Sequence, residues 1–165
     1  MKRNIKNVAV LGSGVMGSAI ACHFANVGLN VLLLDIVPKE AESSNNKKER
    51  NKIVDGALSK ALKSKPSPIY KKSFAKRIKT GNMTDDMSLI STCDWIIEVV
   101  VERLDIKKIV FENVEKHRTN GTLITSNTSG IPINMMLEGR SEDFQKHFFG
   151  THFFNPPRYL KLLEI

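Results

Sequence analysis

The feature that most constrains the fold of this chain is a glycine-rich turn between an apolar run and a helical pattern. Residues 7–12, Asn-Val-Ala-Val-Leu-Gly, are typical of a short buried parallel strand. Residues 12–17 follow as Gly-Ser-Gly-Val-Met-Gly, and apolar residues recur at helical spacing over residues 15–26. Glycine triplets are common, so the spacing alone is a weak signal. Between a strand and a helix, however, it predicts a dinucleotide-binding turn.

Each glycine of this turn has a specific function in a dinucleotide-binding site. Gly12 permits a tight turn, Gly14 lets the backbone approach a pyrophosphate, and Gly17 lets the helix pack closely on the strand. The helix begins at Val15 and Met16, where free N–H groups and the positive end of the helix dipole can bind phosphate. The alternative is a plain strand–helix turn that binds nothing.

A carboxylate ends the second predicted strand. Residues 31–34 are apolar and Asp35 follows them, 18 residues after Gly17. A carboxylate there can accept hydrogen bonds from both hydroxyls of an adenosine ribose and would repel a 2′-phosphate. Residues 36–38 contain no arginine, so the pattern predicts NAD rather than NADP. The alternative is an aspartate that only starts a turn.

The rest of the chain extends this strand–helix–strand unit into a larger sheet. A helix is predicted over residues 105–118, with an inner stripe of Ile106, Ile109, Val110 and Val114. Further strands are predicted over residues 94–100, 122–126, 148–154 and 160–164. We therefore predict an α/β fold over residues 1–165, with a Rossmann-type, mostly parallel sheet and flanking helices.

One segment carries the whole basic excess of the chain. Residues 39–79 contain 13 Lys and Arg against four Asp and Glu, a net charge of +9, whereas the complete chain has +8. Helical spacing over residues 47–63 and 69–76, separated by Pro66 and Pro68, predicts a basic helical hairpin inserted into the sheet topology. Such a local excess favours one anion-attracting region over a nucleic-acid-binding protein.

Composition excludes several other classes. Cys22 and Cys93 are far apart in the sequence, so we expect neither a disulfide framework nor a metal site. The lack of a cysteine framework favours a reducing compartment such as the cytoplasm. No run of about 18 apolar residues occurs, so no membrane span is expected.

His152 and Glu164 are candidates for acid–base chemistry. The ordinary pKa of histidine, about 6.5, lies near working pH. A neighbouring carboxylate would favour the protonated imidazole and select its tautomer. The two residues can meet only if the chain doubles back, which the Pro156-Pro157 break allows. A structural histidine is the alternative.

Several motifs together resemble one family. The combination is similar to the NAD-binding domain of L-3-hydroxyacyl-CoA dehydrogenases, of the kind found in multidomain fatty-acid oxidation proteins, and the likeness runs from about Asn7 to Ile165. The motifs are Gly-Thr-His-Phe-Phe-Asn-Pro at 150–156, Lys-Leu-Leu-Glu at 161–164, Ser-Asn-Thr-Ser at 126–129, Ile-Glu-Val-Val-Val-Glu at 97–102, and Lys107.

The resemblance implies catalytic roles. His152 would be the general base for the 3-hydroxyl group, with Glu164 as its orienting partner. Ser129 would contact the substrate oxygen at C3, and Asn155 would support the histidine loop.

It also implies further cofactor contacts. Asn127 and Glu102 would hold the ribose on the nicotinamide side, with Lys107 nearby. Ordinary solvated residues are the alternative for Glu102 and Lys107. Glu98 and Trp95 are expected to be structural.

By the same resemblance, the family reaction oxidises L-3-hydroxyacyl-CoA to 3-ketoacyl-CoA by hydride transfer to NAD. A helical C-terminal domain, which completes the active site and usually carries a dimer interface, is expected beyond Ile165. Without it we expect little turnover. Lys60 and Lys63 are candidates for binding the phosphates of coenzyme A. The alternative is that both lysines belong to a solvated helical surface that binds nothing. Two alternative functions stay open: a non-catalytic NAD-binding or interaction module, and a related β-hydroxyacid dehydrogenase.

Overall fold

The protein is built around one parallel sheet. The computed structural model describes residues 3–165, so Met1 and Lys2 of the predicted domain lie outside the described residues. The sheet order is β3-β2-β1-β4-β5-β6, with all neighbours parallel. This is the Rossmann strand order, and it confirms the predicted fold class. The strands are β1 (Asn7–Leu11), β2 (Asn30–Asp35), β3 (Ile78–Asn82), β4 (Trp95–Glu98), β5 (Leu123–Ser126) and β6 (Phe148–Gly150).

Helices cover both faces of this sheet. Val8 and Val10 of β1 belong to one core cluster and Ala9 and Leu11 to the other, all fully buried. Burial on both faces explains the continuous apolar runs of the strands. Along residues 3–165 no helix combines the length and the apolar character needed to cross a membrane. The helices are α1 (Val15–Asn26), α2 (Lys47–Arg50), α3 (Lys52–Lys63), α4 (Leu104–His117), α5 (Ile133–Leu137) and α6 (Glu142–Lys146), with 3-10 helices at Lys39–Ala41, Lys72–Arg77 and Met87–Thr92.

The basic segment is helical mainly in its first arm. The predicted helix over residues 47–63 is present as α2 and α3, with a break at Asn51. Asn51 is buried, and its side-chain oxygen accepts a hydrogen bond from Asn82 at 2.8 Å. The second arm differs from the prediction, because only Lys72–Arg77 is helical and it is a 3-10 helix. Asn26 of α1 hydrogen-bonds the backbone of Pro68 and Tyr70, which holds that stretch outside a helix.

The inner stripe of α4 was predicted wrongly at one position. Ile109 is 57% exposed, whereas Phe111 and Lys107 are buried. A charged residue takes an inward position because Glu98 lies opposite it in the core. The hydrophobic pattern could not show this, since it treats every lysine as a surface residue.

The predicted strand over residues 148–154 is two strands. β6 ends at Gly150, and Thr151 then bonds back to β5 through its N–H to Ser126 O at 2.9 Å. The chain continues as β7 (His152–Phe153), which pairs antiparallel with β8 (Leu163–Glu164) in a separate sheet. The last predicted strand is therefore confined to two residues. This change of sheet places His152 directly opposite Glu164.

Candidate active site

The glycine-rich turn lies at the carboxyl end of β1, joins β1 to α1, and contacts the ends of β2 and β4. Gly12 has φ +102°, and a Cβ atom there would lie 2.6 Å from the carbonyl oxygen of Val99. A Cβ atom on Gly17 would lie 1.9 Å from the carbonyl oxygen of Gly12. Both positions therefore require glycine for close backbone packing. A Cβ atom on Gly14 would meet nothing within 4 Å, so the turn is open to solvent there.

The first turn of α1 fits a bound pyrophosphate. Gly14 is the N-cap residue, no side chain caps the helix, and the first turn contains no acidic residue. Val15 is 75% exposed, while Met16 packs partly against the core. The helix therefore presents backbone N–H groups and a positive dipole end to an incoming anion.

Asp35 lies beside this turn. Its Oδ2 atom accepts hydrogen bonds from the N–H of Ser13 at 2.6 Å and from the Ser13 hydroxyl, and its Oδ1 atom accepts from the N–H of Ile36 at 2.7 Å. The carboxylate is only partly buried. It thus ties the end of β2 to the glycine-rich turn, at the position where a ribose contact is expected.

A buried ion pair lies at the carboxyl ends of β4 and β5. The Nζ atom of Lys107 lies 2.7 Å from Oε1 and 2.9 Å from Oε2 of Glu98, and the two side chains are 1% and 0% exposed. Burial raises the pKa of Glu98, while the neighbouring ammonium and the hydroxyl of Ser126 oppose that rise. Lys107 is therefore not an ordinary solvated lysine, and its ammonium does not reach the surface.

Glu102 connects this pair to an exposed loop. Its Oε2 atom lies 3.2 Å from Lys107 Nζ. Its Oε1 atom accepts from the Thr128 hydroxyl and from the N–H groups of Ser129 and Gly130, both at 3.1 Å. Partial burial raises the pKa of Glu102, but these hydrogen bonds and the charge of Lys107 outweigh it and bring the pKa to about 2. Glu102 is therefore a carboxylate at neutral pH.

Asn127 joins the end of β5 to β7. Its Oδ1 atom accepts a hydrogen bond from the N–H of Phe153 at 2.9 Å. This bond assigns the oxygen of the amide to β7 and leaves the NH₂ group free for another partner. Asn127 thus fixes the backbone next to His152.

His152 and Glu164 are in direct contact. The Nδ1 atom of His152 lies 2.8 Å from Oε2 of Glu164, with the side chains 28% and 59% exposed. A carboxylate can only accept a hydrogen bond, so Nδ1 carries a proton. In the neutral imidazole, Nε2 is then the proton acceptor.

Two of the four predicted substrate residues line a cavity of about 480 Å³ between α1, α3 and the loop after β7. Lys60 and Asn155 line it, whereas Lys63 does not and is exposed on the surface of α3. Ser129 is exposed on the loop held by Glu102. The lining residues are Ser13, Gly14, Val15, Ser18, Ala19, Ala57, Lys60, Ala61, Ser64, Lys65, Pro66, Pro68, Asn155, Pro156, Pro157, Arg158 and Tyr159.

Sequence reasoning missed Arg158 as part of this region. Its guanidinium lies 4.4 Å from the ring centre of Tyr70, and it donates to the carbonyl oxygens of Ser67 and Ile69. Arg158 thereby joins the loop after β7 to the basic segment. A pair of residues 89 to 91 positions apart leaves no local signal in the sequence.

The fold and site together define a dinucleotide-binding domain of the dehydrogenase class. The model of the family described as "3-hydroxyacyl-CoA dehydrogenase, NAD binding domain" matches residues 7–165. The chain belongs to this family, and NAD is the cofactor of the family's domain.

Relatives agree with this assignment. A protein of Bacillus subtilis strain 168 named "Probable 3-hydroxyacyl-CoA dehydrogenase" is 51% identical over 173 residues, which cover 100% of this chain and 22% of that protein. A protein of the same name from Deinococcus radiodurans is 47% identical, covering 98% of this chain and 45% of that protein. The crystal structure of 3-hydroxybutyryl-CoA dehydrogenase from Escherichia coli K12 superposes with a TM-score of 0.71 at 29% identity, covering 98% of this chain and 32% of that one. The chain therefore spans less than half the length of these proteins.

Proposed function

We propose that this domain serves the oxidation of L-3-hydroxyacyl-CoA to 3-ketoacyl-CoA in fatty-acid β-oxidation. The observation that carries the proposal is the 2.8 Å contact between His152 Nδ1 and Glu164 Oε2. β7, which bears this histidine, begins two residues after β6 ends, at the carboxyl edge of the sheet that also presents the glycine-rich turn. Membership of the family supports the same reaction.

In this proposal His152 is the general base. Its Nε2 atom takes the proton of the 3-hydroxyl group, and Glu164 stabilises the imidazolium that forms. General-base catalysis contributes about 10²–10⁴-fold to a rate. Ser129 contacts the substrate oxygen at C3, and Asn155 supports the loop that follows β7.

Bound NAD supplies the chemistry of hydride acceptance from C3 of the substrate. Gly12, Gly14 and Gly17 give its pyrophosphate access to the first turn of α1, and Asp35 receives the adenosine ribose. The ribose on the nicotinamide side is held by Glu102 and by the free NH₂ group of Asn127. Lys107 is buried beneath Glu102, so it supports this contact from inside the protein.

Coenzyme A is proposed to lie along the cavity beside α3. The apolar lining suits the pantetheine arm, and Lys60 at its border can attract a phosphate. Lys63 faces solvent one turn further along the same helix. These are the acyl-CoA contacts that the domain itself can offer.

A second, helical domain is proposed to complete the active site, because the relatives are at least twice as long as this chain. A homodimer through that domain and a cytoplasmic location belong to the same proposal. Both cysteines are free thiols buried in the core, which suits a reducing compartment.

The proposal is tested in two measurements. The chain is titrated with NADH, and the full-length protein is assayed with acetoacetyl-CoA and NADH. Dinucleotide binding together with turnover is the expected result. NADH binding without turnover in the full-length protein would favour the non-catalytic module. Faster turnover of a free β-keto acid than of its CoA thioester would favour the related β-hydroxyacid dehydrogenase.

A further inference from the structure

Glu98 is a buried carboxylate whose hydrogen-bonding capacity is fully used. It is 0% exposed and lies at the last residue of β4. Four hydrogen bonds reach its two oxygens: two from Lys107 Nζ, one from the N–H of Val100 at 2.7 Å, and one from the Ser126 hydroxyl. It therefore links β4, α4 and the end of β5 at one point.

The ammonium of Lys107 connects the buried carboxylate of Glu98 to the more exposed carboxylate of Glu102. It is 2.7 and 2.9 Å from the oxygens of Glu98 and 3.2 Å from Oε2 of Glu102. Glu102 in turn accepts from the N–H groups of Ser129 and Gly130. A continuous series of ion pairs and hydrogen bonds to charged groups thus runs from the core to an exposed loop.

Stability is a poor explanation for this arrangement. Replacing a buried ion pair with apolar residues is often neutral or stabilising, because taking two charges out of water is costly. The position of the pair is more informative than its energy, since it lies where β4 and β5 end and the Ser126–Gly130 loop begins. The side chain of Glu102 is 43% exposed and would otherwise sample several rotamers. A fixed ammonium beneath it selects one orientation.

We propose that Glu98 is a positioning residue: it holds the ammonium of Lys107, which orients Glu102 and, through Glu102, the loop that bears Ser129. The fixed conformation of the Ser126–Gly130 loop follows from the contacts alone. The contribution of this loop to binding the nicotinamide side of NAD rests on the proposed function. Without the charge of Glu98 the ammonium is no longer fixed beneath Glu102, so Glu102 loses the orientation in which it accepts hydrogen bonds from the loop.

Three variants test this proposal. Glu98→Gln keeps the shape of the side chain and removes its charge. Glu98→Gln combined with Lys107→Met removes both buried charges, which avoids leaving one of them unpaired. Glu112→Gln is the matched control, because Glu112 forms an exposed ion pair with Lys116 on the same helix.

The first measurement is amide hydrogen exchange at Ser129 and Gly130. We expect exchange at both to accelerate about tenfold or more in the single and the double variant, as for a weakened hydrogen bond to a charged group. The N–H of Gly12, which donates to Leu34 O at 2.7 Å, reports on the sheet and should exchange as in the wild type. Glu112→Gln should leave all three amides unchanged.

The second measurement compares NADH with AMP, which occupies only the adenosine half of the site. NADH affinity should fall about tenfold in both variants, while AMP affinity stays within about twofold. A merely structural role predicts otherwise: the double variant, relieved of its buried charges, would regain wild-type exchange at Ser129 and Gly130 and wild-type NADH affinity. That recovery would overturn the proposal, as would unchanged exchange in a folded Glu98→Gln variant. Failure of the wild type to bind NADH would instead refute the proposed function, and the exchange rates would still decide the role of Glu98.

Discussion

The two ends of the candidate site are built in different ways. In the proposed function, the adenosine side consists of the turn at residues 12–17 and Asp35, all within 24 residues of one strand–helix–strand unit. It offers mainly backbone N–H groups to a ligand. Its strict requirement is the absence of a side chain at Gly12 and Gly17, where a Cβ atom would collide with the backbone. The side proposed to be catalytic draws side chains from β4, α4, β5, β7 and β8, between residues 98 and 164.

This difference indicates which substitutions will disrupt each end of the site. A backbone site is damaged by added volume and is insensitive to charge elsewhere. A site made of side chains depends on partners that hold each group, so removing one charge disturbs the next residue along. The experiments that follow test this contrast one region at a time, from the largest expected effect to the smallest.

The largest effect is expected at the catalytic pair. His152→Ala should lower turnover of the full-length protein by about 10²–10⁴-fold, the usual worth of a general base. NADH affinity should barely change, because the hydrogen bonds of Asp35 go to the glycine-rich turn and to Ile36, and the imidazole of His152 bonds to Glu164. Steady-state kinetics together with NADH titration measure both quantities.

Glu164 sharpens this result. Groups that act as a unit lose their value together, so the double variant with Glu164→Ala should be little worse than the worse single variant. Glu164→Gln should move the acid limb of the pH–rate profile to lower pH, since losing a negative charge disfavours imidazolium. Multiplicative losses in the double variant, or an unchanged profile for Glu164→Gln, would mean that Glu164 does not act with His152.

The next effect concerns folding stability on the catalytic side. Lys107→Met leaves the carboxylate of Glu98 buried without its cation, and we expect a loss of about 3–5 kcal/mol in the free energy of unfolding. Urea denaturation measures it. Lys116→Met removes an exposed cation from the same helix and should cost no more than about 1 kcal/mol. Equal losses in the two variants would mean that the buried carboxylate of Glu98 does not depend on its cation.

The third effect tests the adenosine side. Asp35→Ala should weaken NADH binding by about 10- to 100-fold, the worth of hydrogen bonds to a charged group, and should reduce the preference for NADH over NADPH. Fluorescence titration with both dinucleotides measures it. Ser13→Ala is the control, because it removes one internal donor to Asp35 and keeps the carboxylate. If NADPH binds the wild type as tightly as NADH does, the carboxylate does not select the cofactor.

A smaller effect is expected at the basic segment. Lys60→Glu together with Lys63→Glu should raise the KM for acyl-CoA several-fold at low salt, and the effect should fade above about 0.1 M ionic strength. The KM for a pantetheine thioester, which lacks the adenosine phosphates, should be unaffected. Lys116→Glu is an exposed charge reversal outside the segment and serves as the control. Equal changes with both substrates would indicate a structural role for the segment.

The smallest effect is the pH dependence contributed by Glu102. Its pKa is lowered from 4.5 to about 2 in the folded protein, so its carboxylate stabilises the fold above about pH 4.5 and this contribution is lost as the pH falls toward 2. Glu102→Gln should therefore flatten the acid side of the stability profile, measured by thermal unfolding between pH 2 and 6. An acid side as steep as that of the wild type would show that Glu102 does not contribute to it.

Prediction from the sequence succeeded where the signal was local. The turn at residues 12–17, the strand that ends at Asp35 and the parallel sheet all follow from apolar runs and glycine spacing within short windows. The contact between His152 and Glu164 was expected from a resemblance, and the reversal of the chain around Pro156-Pro157 provides it. The catalytic and binding roles of these residues stay predictions.

Prediction failed where the partner was distant. Ile109 was placed on the inner face of α4 although it is 57% exposed, because an apolar pattern carries no information about the ion pair that turns Lys107 inward toward Glu98. The split of residues 148–154 into β6 and β7 also left no local trace, since it depends on Thr151 bonding to β5.

The sequence by itself therefore determined the fold class and the glycine-rich turn beside Asp35, because backbone conformation at glycine and the periodicity of apolar side chains are local properties. Only the tertiary structure decided that Lys107 is buried between Glu98 and Glu102, and that Glu102 reaches the amides of the Ser126–Gly130 loop. A charge can be buried only where its counter-charge and hydrogen bonds meet it in space. The groups that meet this condition come from β4, α4 and the end of β5, so they come together only after the sheet has formed.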